Sequence, residues 1–273
     1  MATAADLSTT SALDLARCLG CHAPLAGRAV CPGCGRTYPE VNGLLEMIGP
    51  LSGRNRVAGA FYDGPKWARF EPWERVFLFF QGPGEAAARR KVLRHLPDRP
   101  EARVLEVGIG AGANLRYLPA GWEVFGVDLA RQRLRDCLAR HPRMAGRLVL
   151  AEAEALPFED ASFDAVWTVG GINYFRDPSA ALAEMRRVAR PGAPLVAADE
   201  NSDLFHLAPG HMLGLEGLDV LGLRLMGIDR EFLDMVLHDP ADVAAEAARV
   251  WPRHRRVPIW NRLGYCLVDV REG

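Results

Sequence analysis

The 273-residue chain lacks a charge imbalance: its formal net charge is -1 at pH 7. Without a global basic field the protein is not drawn as a whole to nucleic acid or to anionic membrane. No apolar run reaches membrane-spanning length, so no transmembrane helix is expected. The start lacks the basic stretch and apolar core of a secretory leader, and holds Asp6 and Asp14 instead. The expectation is a cytoplasmic protein whose residues 1–16 form a mobile tail. Cysteine is scarce, six in all, but four fall in two close pairs. A cytoplasmic chain keeps such pairs for metal or redox work rather than for disulfides. Cys137 and Cys266 stand alone and read as small buried apolar residues. Hydrophobic residues make up 49% of the chain and charged ones 25%. That suits one α/β domain with a full core plus a small appendage.

The pairs are Cys18-Leu19-Gly20-Cys21 and Cys31-Pro32-Gly33-Cys34. Each knuckle folds two thiolates toward one point, and Gly20, Gly33 and Gly35 let the turns tighten around the sulfurs. Together they match the tetrahedral sulfur set of structural zinc. Residues 17–48 are therefore expected to form a zinc-ribbon module that draws its folding energy from the metal. Four thiolates close the coordination sphere, which points to a structural clip rather than a catalytic metal. Cys18 to His22 also spells Cys-x-x-Cys-His, the haem attachment pattern, but that leaves the second pair unexplained. A redox dithiol usually opens a helix after a strand, whereas Pro24, Gly27 and Pro32 suggest loops here.

Residues 58–96 form an aromatic-rich helical segment, with Phe61, Tyr62, Trp67, Phe70, Trp73, Phe77, Phe79 and Phe80 near its start. Such a cluster either packs a helix on the main domain or forms a lid over an apolar substrate. Gly82-Pro83-Gly84 interrupts it, and Glu85 to Leu96 reads as a helix with Ala88, Val92 and Leu96 on one side.

The main domain is expected over 97–273. Arg103 to Gly108 is a short apolar run ending in glycine, the mark of a buried parallel strand. It continues as Gly108-Ile-Gly110-Ala-Gly112-Ala-Asn114, a loop that lets a ligand approach backbone at a helix start. Gly108, Gly110 and Ala113 alone would also fit a dinucleotide loop. Trp122 to Asp128 is a second strand ending in an acid. Asp128 stands at the distance from Glu106 expected for a ribose-binding carboxylate one strand-helix-strand step on. Leu148 to Leu150, Phe163 to Val169 and Pro194 to Ala198 read as further strands, and Leu182 to Ala189 as a helix.

At these residues the chain resembles the class I S-adenosylmethionine (SAM) dependent methyltransferases, most of all the group that includes the ubiquinone/menaquinone C-methyltransferases. Five blocks carry the resemblance: Glu106 to Gly112, Val127-Asp128, Glu152 to Phe158, Phe163-Asp164 and Arg187 to Gly192. The resemblance implies an α/β, Rossmann-like, seven-stranded, mostly parallel sheet behind the four-cysteine zinc-ribbon module. It implies that Gly108, Gly110 and Gly112 line the methionine part of SAM, and that Glu106 orients its amino end. Asp128 would hold the ribose, Leu129 would pack on the adenine, and Glu152 with the Ala153 backbone would meet the adenine edge. The family often has Asp where Glu152 stands, and a second glycine where Ala193 follows Gly192.

Methyl transfer from a sulfonium needs alignment and exclusion of water, and a base only when the nucleophile must lose a proton early. The acceptor should lie at the C-terminal strand ends. Asn173 and Tyr174 follow the fourth strand there, and Tyr174 is the candidate positioning group. His206 and His211 follow the fifth strand and are candidate bases. An apolar insertion, 207–239, either caps the pocket or forms a homodimer contact. Arg256 to Trp260 and Gly264 to Val270 resemble the final antiparallel pair of this fold. The functional expectation is methylation of a small molecule, a secondary metabolite or a quinone- or phenol-like compound. The alternative is an RNA base methyltransferase, because a Cys-rich ribbon precedes this domain in the ribosomal RNA guanine-N1 methyltransferases. The near-neutral charge counts against that, since RNA binding rests on phosphate neutralisation. A nicotinamide-dependent oxidoreductase fits the glycine loop but not the Glu152 to Phe158 block.

Overall fold

The computed structural model describes residues 10–80, 85–201 and 216–272. One nine-stranded sheet organises them, in the order β1-β2-β5-β4-β3-β6-β7-β9-β8. Its parallel centre is β5 (Leu148–Leu150), β4 (Glu123–Asp128), β3 (Arg103–Val107), β6 (Ala165–Val169) and β7 (Pro194–Glu200). The antiparallel pair β9 (Gly264–Val270) and β8 (Arg255–Ile259) closes one side.

These central strands are buried on both faces, which is why they read as unbroken apolar runs. Alternate side chains enter two separate cores. Leu105, Val107, Phe125, Val127, Val166 and Leu195 point into one. Val104, Val124, Leu148, Trp167 and Val196 point into the other. Helix α6 (Pro178–Val188) covers the first face with Leu182, Met185 and Val188. It starts where the Asp177 side chain accepts from the Ala180 N–H, with Pro178 in the first turn. Helix α4 (Glu85–Leu93) and helix α5 (Arg131–Arg140) cover the second face through Ala88, Val92, Leu134 and Cys137. Cys137 and Cys266 are both fully buried, in line with their apolar reading.

The sheet departs from the expected seven strands. The two additional ones are β1 (Glu40–Val41) and β2 (Leu44–Glu46), a hairpin from the front segment. Asn42 and Gly43 take positive φ values of 53° and 78° at its turn. β2 pairs in parallel with β5, Leu44 opposite Leu148 and Leu45 opposite Val149. Leu44 and Leu45 are buried on opposite sheet faces, so the hairpin joins both cores.

The front segment also differs from a free-standing ribbon behind a loose tail. Residues Ala12–Leu15 form a short helix, α1, with a capping box between Ser11 and Asp14. The Ala12 N–H donates to the Gly146 carbonyl, Arg17 N–H to Pro157, and Glu159 N–H to Leu15. Ala12, Ala16, Leu25, Tyr38 and Met47 all belong to the same core as Phe158 and Phe163. Burial of such side chains contributes roughly 1.5–3 kcal/mol each for the larger ones. This segment thus draws stability from a core it shares with the main domain.

A third apolar cluster stands over the C-terminal strand ends. It joins α2 (Gly53–Asp63), α3 (Pro65–Phe80) and, from the insertion, α8 (Arg230–His238), which follows α7 (Glu216–Leu225). Phe232 stacks on Phe61 at 4.2 Å and lies 5.3 Å from Tyr174. The last helix, α9 (Val243–Val250), packs against α6, and Trp251 just after it donates its indole N–H to the Leu182 carbonyl.

Candidate active site and cysteine cluster

Strand order reverses at β3, between β4 and β6. A crevice opens at the carboxyl ends of strands at such a point. Here it is a cavity of about 620 Å³, within the ~300–1,000 Å³ range of small-ligand sites. Glu106, Gly108, Gly110, Gly112, Asp128, Leu129 and Ala153 all line it, as do Gly170, Gly171, Tyr174 and Phe175.

Glu106 sits on β3, 2% exposed. Its Oε1 accepts from Asn114 Nδ2 at 2.5 Å, and Arg89 donates to Asn114 Oδ1 at 3.0 Å. Glu106 Oε2 is buried, and the Trp167 indole N–H, directly across on β6, is a further donor to this carboxyl. Burial pushes this carboxyl up to about 7, partly offset by Asn114 and by the Arg89 charge. A buried carboxylate at a cavity wall favours a cationic ligand group.

Asp128 ends β4. Its Oδ2 accepts from the Gly110 N–H at 2.7 Å and Oδ1 from the Ala130 N–H at 2.8 Å. Burial pushes it up to about 6 against the pull of those two amides. Each oxygen keeps a second lone pair, enough for two hydroxyl donors. The loop between these acids needs its glycines for different reasons. A Cβ on Gly112 (φ +76°) would stand 2.7 Å from Leu115 Cδ1 and 2.8 Å from Cys137 Sγ. A Cβ on Gly110 (φ +53°) would meet no protein atom within 4 Å, because that side opens to the cavity.

Glu152 is placed differently from its neighbours. Ala151 and Ala153 line the cavity, whereas Glu152 is absent from the lining. Its Oε2 accepts from Asn55 Nδ2 at 3.1 Å and stands 3.4 Å from Arg176. Asn173 also turns aside. Its N–H donates to Asp199 Oδ2, its Nδ2 to the Glu200 carbonyl, and its Oδ1 accepts from the Tyr265 hydroxyl. It braces the loop that presents Tyr174. Burial pushes Asp199 beneath it up to about 7. His206 and His211 lie outside the described residues, as do Met212, Leu213, Leu215 and the side chains of Trp73, Phe77, Phe79 and Phe80.

Tyr62 and Trp67 stand opposite, from α2 and α3. Trp67 lies under the Arg133 guanidinium at 5.5 Å, and Tyr62 lies 6.3 Å from Tyr174. The aromatic segment thus both packs with Phe61 and Phe232 and walls the cavity. Asn55, Arg89, Arg133, Asp199 and Tyr265 went unnoticed in the sequence. Single buried polar residues leave no periodic trace, and no motif spacing marks them.

The four knuckle cysteines meet at the far side of the front segment. Their sulfurs all lie within 4.8 Å of one another, and none is in a disulfide. Cys18 and Cys34 are 3.5 Å apart, Cys21 and Cys31 3.4 Å. Zinc–thiolate bonds of ~2.3 Å in a tetrahedron give sulfur separations of roughly 3.8 Å, so the donor set fits that ion. The Tyr38 hydroxyl bonds to Cys18 Sγ and accepts from the Leu19 N–H, fixing the first knuckle.

The parallel sheet, its reversal point and the glycine loop define a Rossmann-like α/β domain. Residues 105–197, from β3 to β7, match the family model of a methyltransferase domain. It is 37% identical over 118 residues to a demethylmenaquinone methyltransferase of Renibacterium salmoninarum, covering 43% of this chain and 49% of that protein. It is 39% identical over 102 residues to a malonyl-[acyl-carrier protein] O-methyltransferase of Pseudescherichia vulneris, covering 37% and 40%. The chain thus spans less than half the length of these curated relatives. A solved SAM-dependent methyltransferase from Aquifex aeolicus is 15% identical, with a TM-score of 0.46 over 81% of this chain and 100% of that one.

Proposed function

We propose that the protein is a SAM-dependent methyltransferase acting on a small aromatic or apolar acceptor, with a structural zinc held by Cys18, Cys21, Cys31 and Cys34. The observation that carries the reading is the pair of carboxylates, Glu106 and Asp128, set around a glycine loop in one cavity. One acid suits each polar part of SAM. The relatives' names, a demethylmenaquinone and a malonyl-[acyl-carrier protein], support an acceptor other than nucleic acid. An RNA acceptor gains no support from them.

SAM supplies an electrophilic methyl group on a sulfonium. Glu106 would accept from the ammonium, as a buried carboxylate at the cavity wall. Asn114 holds one oxygen and so fixes the carboxylate plane. Asp128 accepts from the ribose hydroxyls. Gly108 and Gly110 admit close approach, and Leu129 with Ala153 flanks the adenine. Glu152, outside the cavity lining and held by Asn55, would act on the adenine edge only by fixing the turn that presents Ala151 and Ala153. Tyr174 places the acceptor, and Tyr62 and Trp67 exclude water from the displacement. His206 and His211 remain the candidate bases.

The test uses the purified, zinc-loaded chain. Isothermal titration calorimetry reads SAM binding first. Labelled SAM is then incubated with an extract of the source cells, fractionated into small molecules, protein and RNA. Saturable SAM binding with label among small molecules is expected. Failure to bind SAM overturns the reading, and label confined to RNA overturns the acceptor class.

A further inference from the structure

Asn55 is a polar residue with no exposed surface, on α2. Its Nδ2 donates to Glu152 Oε2 at 3.1 Å and to Glu154 Oε2 at 3.0 Å. Its Oδ1 accepts from the Arg176 N–H at 2.9 Å. A buried amide satisfied on both ends is a fixed joint rather than a tolerated one. It ties three segments together. The turn after β5 carries Glu152 and Glu154 and presents Ala151 and Ala153 to the cavity. The loop after β6 presents Gly170, Gly171, Tyr174 and Phe175. Helix α2 carries Ala58 and Tyr62, three and seven residues beyond Asn55 and so on the same helix face, and both line the cavity. Arg54 adds a parallel tie, donating to the Asn173 carbonyl at 2.7 Å.

Glu152 and Glu154 converge on this one amide. Two carboxylates tolerate that closeness because both receive a proton donor, and the Arg176 charge stands 3.4 Å from Glu152. A carboxylate in place of the amide would leave both without it.

We propose that Asn55 is a positioning residue of the cofactor site: it anchors Glu152 by one oxygen and sets α2, with Ala58 and Tyr62, as the wall facing the glycine loop. The proposal rests on the SAM reading above. It places part of the binding site's order in a helix that precedes the methyltransferase domain and lies outside all five motif blocks.

The test compares the full, zinc-loaded chain with Asn55→Asp, Asn55→Ala, Glu152→Gln and the Asn55→Asp/Glu152→Gln double variant. Titration calorimetry reads the SAM dissociation constant, and thermal melting without SAM reads the fold. Asn55→Asp is expected to weaken SAM binding at least tenfold at neutral pH. The loss should shrink on acidification, as the introduced carboxyl gains a proton it can donate to Glu152. The double variant, which reverses donor and acceptor, should recover most of the loss. Asn55→Ala keeps the comparison open if the aspartate variant does not fold, and should weaken SAM at least fivefold. Wild-type affinity in Asn55→Asp or in Asn55→Ala overturns the proposal. So does a double variant no tighter than Asn55→Asp alone. A wild-type chain that does not bind SAM instead sinks the function reading itself.

Discussion

Replacing Glu106 by Gln should lower both the affinity for SAM and its dependence on pH. Burial raises the Glu106 carboxyl from 4.5 to about 7. The folded, ligand-free protein therefore holds more protons than the unfolded chain between those values. Its stability falls as pH rises across that window, by ~1.4 kcal/mol per unit and roughly 3 kcal/mol in full. A bound ammonium reverses the preference, since only the ionised acid attracts it. SAM affinity should thus climb with pH through about 7. The ionised fraction grows from roughly a tenth at about pH 6 to roughly three-quarters at about pH 7.5, a gain of about eightfold. Higher pH is less informative, because an α-amino group itself titrates near ~7.7–8.0. Asp128, raised to about 6, adds to the slope at the acid end. Glu106→Gln forfeits a charged hydrogen bond worth ~1.5–3 kcal/mol, roughly ten- to 150-fold in affinity at about pH 7.5. What remains of the slope belongs to Asp128. Calorimetry at several pH values, in buffers of differing ionisation heat, reads affinity and proton release together. A wild-type affinity flat over this range, or a Gln variant with an undiminished slope, would refute the role given to Glu106.

The glycine loop separates fold from function. Gly112→Ala forces a Cβ to within 2.7 Å of Leu115 and should lower the melting temperature by several degrees, a cost of ~1–3 kcal/mol from overpacking. Gly110→Ala meets no protein atom and bears only the strain of its positive φ, so it should melt a little below wild type, closer to it than Gly112→Ala, yet bind SAM at least tenfold more weakly. Cys18→Ser, or a strong chelator, should release one zinc per chain and lower the melting temperature. SAM affinity should fall with it, because residues 15–17 hydrogen-bond to Pro157 and Glu159 beside the cofactor turn. Tyr174→Phe should leave SAM binding within about twofold and slow methyl transfer about tenfold or more, a range typical of a lost positioning contact.

The central strands were legible because burial on both faces leaves a continuous apolar run, as in Val104-Leu-Glu-Val107 and Ala165-Val-Trp-Thr-Val169. The placing of Glu106 and Asp128 at strand ends followed from those runs and the glycines between them. The β1–β2 hairpin escaped notice because two- and three-residue strands are too short to show alternation. Its one local signal was the Asn42-Gly43 dipeptide, a tight-turn pair. Glu152 illustrates the other limit. Its position in the chain suits the adenine edge, yet its side chain is drawn toward Asn55 and Arg176, partners far away in sequence. The same holds for Asn173, whose partners Asp199 and Tyr265 come from two other strands. Long-range polar pairing depends on the finished fold and leaves no mark on local pattern.

Leu44 pairs with Leu148, so on synthesis β2 awaits a neighbour roughly a hundred residues behind it. At ~5–20 residues per second that interval lasts about 5–20 s. During it the hairpin has an unmatched edge and two bare leucines, a template for wrong pairing. The four thiols just ahead of it emerge at once and need no later residue to gather around a metal. Early metal capture would hold the nascent segment compact until β5 arrives. On the proposed zinc reading, the metal would guard the nascent chain as well as brace the finished one.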